Sequence, residues 1–205
     1  MSGVSLNVQV QGDAYLRGLL ARVTGPKAQR SLNAAMGIRV REGIRDHLAE
    51  LAESRHTTAE RLGASPSGHL EQAARAVEGA PIESTASAAT ITINHPGLGR
   101  ALHDVTIVPT GGRKALTIPV AAIAYNRRAG QFDHLFVFKS KVTGNAFLAM
   151  RQPEKSTPPL LLYLLVRSVT QKQDRTLLPS DEQLQSDAIA GAHDWFEAQM
   201  GGPAA

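Results

Sequence analysis

The sequence predicts an α+β fold: a mixed or antiparallel sheet packed against a long N-terminal helix and a C-terminal helix. Three observations carry this. A stretch of about 28 residues after Gly25-Pro26 repeats its apolar residues at helical spacing. Several short alternating or continuously apolar runs follow, separated by Gly, Pro and Asn breakers. The chain then closes on a second helical pattern that begins at Ser180. The central stretch, Ala89 to Val120, reads as the sheet core of one domain spanning residues 1–205.

Taken in order, Leu6, Val8 and Val10 alternate with Asn7, Gln9 and Gln11, the period of a half-buried strand. Gly12 ends it, and Asp13 can cap a short helix carrying Leu16, Leu19, Leu20 and Val23. Pro26 suits the first turn of the next helix, about Lys27 to Ser54, where Leu32, Met36, Val40, Ile44, Leu48 and Leu51 form one stripe. Gly37 and Gly43 are poor helix formers. They let another backbone approach closely, within the core as the favoured reading or between subunits as the other.

From Glu53 to Gly68 polar and small residues dominate, which predicts an exposed loop with a helical turn over Thr58 to Leu62. His69 to Val77 suits a helix with Leu70, Ala73, Ala74 and Val77 inward. Strands are expected over Ala80 to Ser84, Ala88 to Asn94, Val105 to Val108 and Ala115 to Ile118. A basic hairpin turn, Gly111-Gly112-Arg113-Lys114, is expected between the last two. Pro119 to Arg128 can hold a helical turn ending at Asn126. Phe132 to Met150 reads as a hairpin able to project, with Leu135 to Phe138 and Ala146 to Met150 as its arms. Arg151 to Pro159 is a second exposed connection. Leu160 to Val169 is the most apolar run, so a central strand buried on both faces is expected there, followed by a loop over Thr170 to Leu178. In the last helix Ser180 and Gln183 suggest a capping box, and Leu184, Ala188, Ile189, Ala192, Trp195 and Phe196 are expected to face the core.

Composition narrows the chemistry. The 205 residues contain no cysteine, which excludes disulfides, thiol catalysis and cysteine metal sites. The net charge of +4 comes from scattered Lys and Arg and not from a basic stripe, which argues against dedicated nucleic-acid recognition. The N-terminus lacks a signal-peptide pattern, and no apolar run is long enough for a membrane span. The histidines at 47, 56, 69, 95, 103, 134 and 193 show no helical zinc-site spacing. His103-Asp104, Asp133-His134 and His193-Asp194 are sequence neighbours, and such neighbours diverge in strands and helices alike. No catalytic, cofactor-binding or metal-binding residue is therefore assigned. Ser65 and Ser67 fail the nucleophile-elbow spacing, and Gly111-Gly112 lacks the spacing and helix of a P-loop. Arg113, Lys114, Arg127, Arg128, Phe132 and Phe136 remain as candidate interface residues. The four cations could meet nucleic acid, and the aromatic residues serve core packing unless the hairpin projects. A weaker enzymatic reading is a small hydrolase using His95 or His103.

Several segments together resemble the tail-completion and neck proteins of long-tailed bacteriophages and prophages. The opening VSLNVQVQGDAYLRGLLARV carries the likeness, as does the long helix with Arg39-Val40-Arg41-Glu42-Gly43-Ile44. Ser54-Arg55-His56 through His69, Asn94-His95-Pro96-Gly97 through Leu102, and Lys114 to Pro119 resemble uncharacterised prophage proteins carried within virion-morphogenesis clusters. The resemblance implies a virion structural protein at the head–tail junction, whether tail terminator, tail-completion or neck protein. It would not be an enzyme and would have no cofactor. It would form a homo-oligomeric six-fold ring contacting neighbouring neck and tail proteins, with non-specific DNA contact in the channel and none with membrane. The hairpin from Phe132 to Met150 exceeds a minimal neck protein.

Overall fold

The structure is a computed structural model that describes residues 23–152, 154 and 157–201. The expected strand at Leu6 to Val10 lies outside them, as does the helix after Asp13 apart from Val23. The class is α+β, and among the described residues every strand pairing is antiparallel. The helices are α1 (Pro26–Ser54), α2 (Thr57–Leu62), α3 (His69–Glu78) and α4 (Asp181–Gly201). The strands are β1 (Ile82–Ser84), β2 (Ala89–Ile91), β3 (Val105–Ile107), β4 (Leu116–Pro119), β5 (Leu135–Lys139), β6 (Ala146–Met150), β7 (Leu160–Val166) and β8 (Val169–Gln171). The chain forms two compact units. One holds the described residues up to Ile44 with Val77–Asn94 and those from Pro179 onward; the other holds Arg45–Ala76 and His95–Leu178.

Helix α1 carries no acidic residue in its first turn and no basic residue in its last, so its dipole is uncompensated by its own termini. Burial holds it instead: Ile44 is buried in the first unit and Leu48 is fully buried in the second. Glycine makes the first unit's packing close. A methyl group added at Gly191 of α4 would lie 2.7 Å from the Ala35 carbonyl oxygen and 3.0 Å from the Met36 Cα. One added at Gly43 would lie 1.9 Å from Asp187 Oδ2, and one at Gly37 3.1 Å from both Ala89 Cβ and Ile82 Cγ2. The small residues of α1 thus serve contacts within this chain, the reading favoured from sequence. Trp195, 7% exposed, donates from Nε1 to Ser31 Oγ at 2.9 Å. The Arg39 guanidinium meets Asp194 at 3.0 Å on the surface. The β1–β2 hairpin is tied to α1 where Asn33 Nδ2 donates to the Thr85 carbonyl and Arg41 Nη1 to that of Ala80.

Ser180 caps α4, accepting from the Gln183 amide at 3.2 Å. The reciprocal half of the expected capping box is replaced: Gln183 Nε2 turns to Asp187 Oδ1 at 2.9 Å. Leu184, Ala188 and Ala192 are partly buried and Trp195 is buried, but Ile189 (61% exposed) and Phe196 (43%) face outward, against expectation. The stripe was drawn too wide. Gly191 faces α1, and residues about half a turn around the helix from it point away.

The second unit is built on a four-stranded sheet in the order β4-β7-β6-β5. Central strand β7 places Leu162 and Tyr163 in one core cluster, both at 1% exposure or less, at an irregularity where β6 steps from Leu148 opposite Tyr163 to Ala149 opposite Leu161. Ala124, Leu162 and Tyr163 form the core, surrounded by Ala121, Phe132, Leu135, Leu148 and Met150 among others. Pro119 sits on edge strand β4, where its missing N–H is tolerated. The expected strand Leu160 to Val169 is two strands. The chain leaves the sheet after Val166, and Val169–Gln171 pairs with β3. The stretch Ala89 to Val120 is likewise not one sheet core, because β2, β3 and β4 belong to three separate sheets. Apolar alternation marks a strand but not its partner. Gly111 and Gly112, at φ of +63° and +75°, therefore form a connecting turn and not a hairpin turn. The hairpin from Phe132 to Met150 does not project as a whole, since β6 is hydrogen-bonded to both β5 and β7. Only its tip lies beyond the paired strands, closed by the Ser140 amide donating to the Asn145 carbonyl at 2.9 Å.

The close approach at Gly191 leaves no room for a β-carbon without moving backbone. Gly191→Ala is expected to destabilise the protein by about 1–3 kcal/mol despite alanine's better helix propensity, as read by chemical denaturation. A stabilised variant would show that the helices are not this close.

Candidate functional site

A cleft of the second unit has a volume of about 480 Å³ and is lined by Arg55, His56, His69, Gly97, Arg100 and Tyr125 among others. Its walls come from short elements whose ends are fixed locally. Helix α2 stops where Gly63 turns left-handed at φ +62°, and its last carbonyls accept from the Gly63 and Ala64 amides. Gly68, at φ +63°, precedes α3 and its carbonyl accepts from the Gln72 amide. Between them, Asn126, itself left-handed at φ +61°, donates its Nδ2 to the carbonyls of Ser65 and Pro66 at 3.2 Å each. Asparagine tolerates this conformation better than other residues with a β-carbon.

Asp174 anchors one wall. Its Oδ2 accepts from Arg55 Nη2 at 2.5 Å and from Arg100 Nη2 at 2.8 Å, and its Oδ1 accepts from Thr176 Oγ1 at 2.6 Å. Its amide donates to the Arg100 carbonyl at 2.8 Å. Arg100 Nε reaches the Lys172 carbonyl, Arg55 Nη1 reaches Thr176 Oγ1, and His47 Nε2 lies 3.0 Å from the Thr176 carbonyl. The Asp174 side chain is 11% exposed. The Thr176 hydroxyl, then the Arg55 and Arg100 guanidiniums, hold its carboxyl below the usual carboxylate range against the opposing effect of burial. Nearby, Asp104 accepts from Lys172 Nζ and from the Gln173 amide, each at 2.7 Å, and this second, exposed pair fixes the β3–β8 connection.

His69 and His95 form a tilted ring pair, with centroids 5.0 Å apart and planes at 49°. The Nδ1 of His95 is buried and has no hydrogen-bond partner. Burial first, and the neighbouring His69 second, lower the pKa of His95 below the ordinary imidazole value.

The six candidate interface residues lie elsewhere in this unit. Arg113 and Lys114 are exposed in the turn after Thr110, whose carbonyl accepts from the Arg113 amide at 3.4 Å. Arg127 and Phe132 are brought together, the guanidinium lying 5.6 Å from the ring centroid. Phe132 also meets Tyr163 edge-on at 6.1 Å, and the Tyr163 hydroxyl donates to the Arg127 carbonyl at 3.0 Å. Phe132 is therefore partly buried against the core. Arg128 is exposed and its amide donates to Gln131 Oε1. Phe136 is partly buried beneath Arg151, whose guanidinium is 5.8 Å from the ring centroid. No hydrogen bond or ion pair among the described residues joins Arg113 or Lys114 to Arg127 or Arg128. His103 and Asp104, adjacent in sequence, do not act as a pair, because Asp104 is taken by Lys172 and Gln173.

Sequence reading singled out His95 but not its pairing with His69, and it missed the Asp174 cluster. Arg55 and Asp174 are 119 positions apart and Arg100 and Asp174 are 74 apart, so no local spacing announces them. The chain was compared with family models, with curated proteins and with solved structures, and it matches none of them.

Removing the Asp174 charge should leave Arg55 and Arg100 facing each other uncompensated. Asp174→Asn is expected to cost about 1–3 kcal/mol at pH 7, discounted for the partial exposure of both arginines. The pKa is depressed in the fold, so this contribution is present above the unfolded value and disappears as pH falls below about 4. Wild type should therefore lose stability steeply on acidification, and the variant less so, in denaturation series across pH 3–7. Parallel curves would remove Asp174 from this role.

Proposed function

We propose that this protein is a structural component of the head–tail junction of a tailed bacteriophage, a tail-completion, tail-terminator or neck protein that assembles as a six-fold ring. The segment-by-segment resemblance to such proteins motivates the reading. The observation that carries it is the margin of the four-stranded sheet at β5, which no described strand pairs. Strand β5 ends the sheet order, with Val137 64% exposed and Phe138 36%, and the adjoining hairpin tip exposes Val142 at 95%. An edge strand with outward apolar side chains is a template for another chain. The occupant proposed is a different surface of a neighbouring copy of this protein, because a head-to-tail contact of this kind repeated around an axis makes a ring when the rotation closes. Lys139 at the end of β5 opposes indiscriminate edge pairing. Arg113 and Lys114, on their exposed turn, are the cations available to an acidic neighbouring ring or to DNA in its channel.

Native mass spectrometry of the purified chain over a concentration series is the test. The expected result is a ring species that Val137→Glu weakens at least roughly tenfold, while the variant monomer keeps its circular dichroism, since the side chain is mostly solvated in the monomer. A wild-type chain that stays monomeric throughout, or a ring indifferent to the substitution, would sink the reading as stated.

A further inference from the structure

We propose that His69 and His95 form a binding site for a divalent transition-metal ion of the zinc type in the second unit, beside its cleft. His69 is the first residue of α3, and His95 immediately precedes the 3-10 turn Pro96–Ala101. An imidazole nitrogen binds zinc at about 2.0–2.1 Å, which puts the ring centre about 3.2 Å from the ion; at a tetrahedral angle two such rings have centres about 5.2 Å apart. The observed separation is 5.0 Å.

Two further observations point to a ligand there. The buried Nδ1 of His95 has no partner among the described residues, an arrangement that costs free energy unless another group satisfies it. Both rings pack against Gly97, where a side chain would clash with them. A β-carbon built on it would lie 2.2 Å from His69 Nε2, 2.6 Å from His69 Cε1 and 3.2 Å from His95 Cε1. The nitrogen-flanked edges of both rings therefore converge where a side chain is missing. His56 and Tyr125 line the same cleft, and water or an exogenous donor would complete the coordination. Bound metal would tie the start of α3 to the turn after His95.

Among the described residues, the one set of three or more His and carboxylate groups close enough to share an ion is His193, Asp194 and Glu197. All three are exposed, and Asp194 is already paired with Arg39 at 3.0 Å. That set serves as the control.

The experiment titrates the full chain with zinc chloride alone, read by calorimetry and by NMR of the assigned imidazole Cε1–H signals. The expected result is one ion per chain, with the His69 and His95 signals moving together. His69→Gln and His95→Gln should each weaken binding at least roughly tenfold, and His193→Gln should leave it unchanged. If a variant fails to fold, the wild-type NMR shifts decide alone. No zinc binding by wild type, shifts confined to other imidazoles, or binding lost only with His193→Gln would overturn the proposal.

Discussion

The carboxylate of Asp174 is the contact on which the second unit's cleft depends. It collects Arg55 from just beyond α1, Arg100 from the 3-10 turn and Thr176 from its own loop. Three connections that have little regular structure thereby acquire fixed positions. A carboxylate at 11% exposure is a liability if unpaired, and two guanidiniums plus a hydroxyl offset its desolvation. The exposed Asp104–Lys172 pair repeats the device one turn of chain away, where solvent screening leaves it a positioning contact more than a source of stability.

The first unit is organised differently. Its helices meet through glycine, and its specificity resides in steric closeness, with Trp195 and Ser31 adding one directed hydrogen bond. Packing of this kind is unforgiving, because a single methyl group at Gly191 meets backbone, which has no rotamer with which to retreat. Asp187 shows the same closeness in polar form: one carboxylate oxygen accepts from Gln183 while the other is buried against Gly43 without a partner.

Much of the secondary structure was legible in the sequence, because period and breakers are local. The stripe from Leu32 to Leu51 marks α1, and the Leu160 run marks the central strand. What failed was pairing. Val169 continues an apolar run, yet it turns to β3, and nothing in Val105 or Val169 encodes that choice locally. Ile189 and Phe196 look like core residues by composition but fall outside the narrow face that glycine allows α4 to bury. The cleft was illegible for the same reason as the pairing. His69, His95, Arg55 and Asp174 are unremarkable one by one, and only the fold brings them together. Of the residues singled out beforehand, Arg127 and Phe132 do meet, in a contact that belongs to the core's margin.

The edge of β5, which no described strand pairs, and the exposed tip at Val142 are the features on which the proposed reading, a ring component of a tailed phage particle, rests beside the resemblance. Electron cryomicroscopy of the purified particles tests it most directly. The account expects a ring of this chain between head and tail, with β5 at the boundary between neighbouring copies. Particles in which the neck and tail are fully assigned to other chains would contradict it.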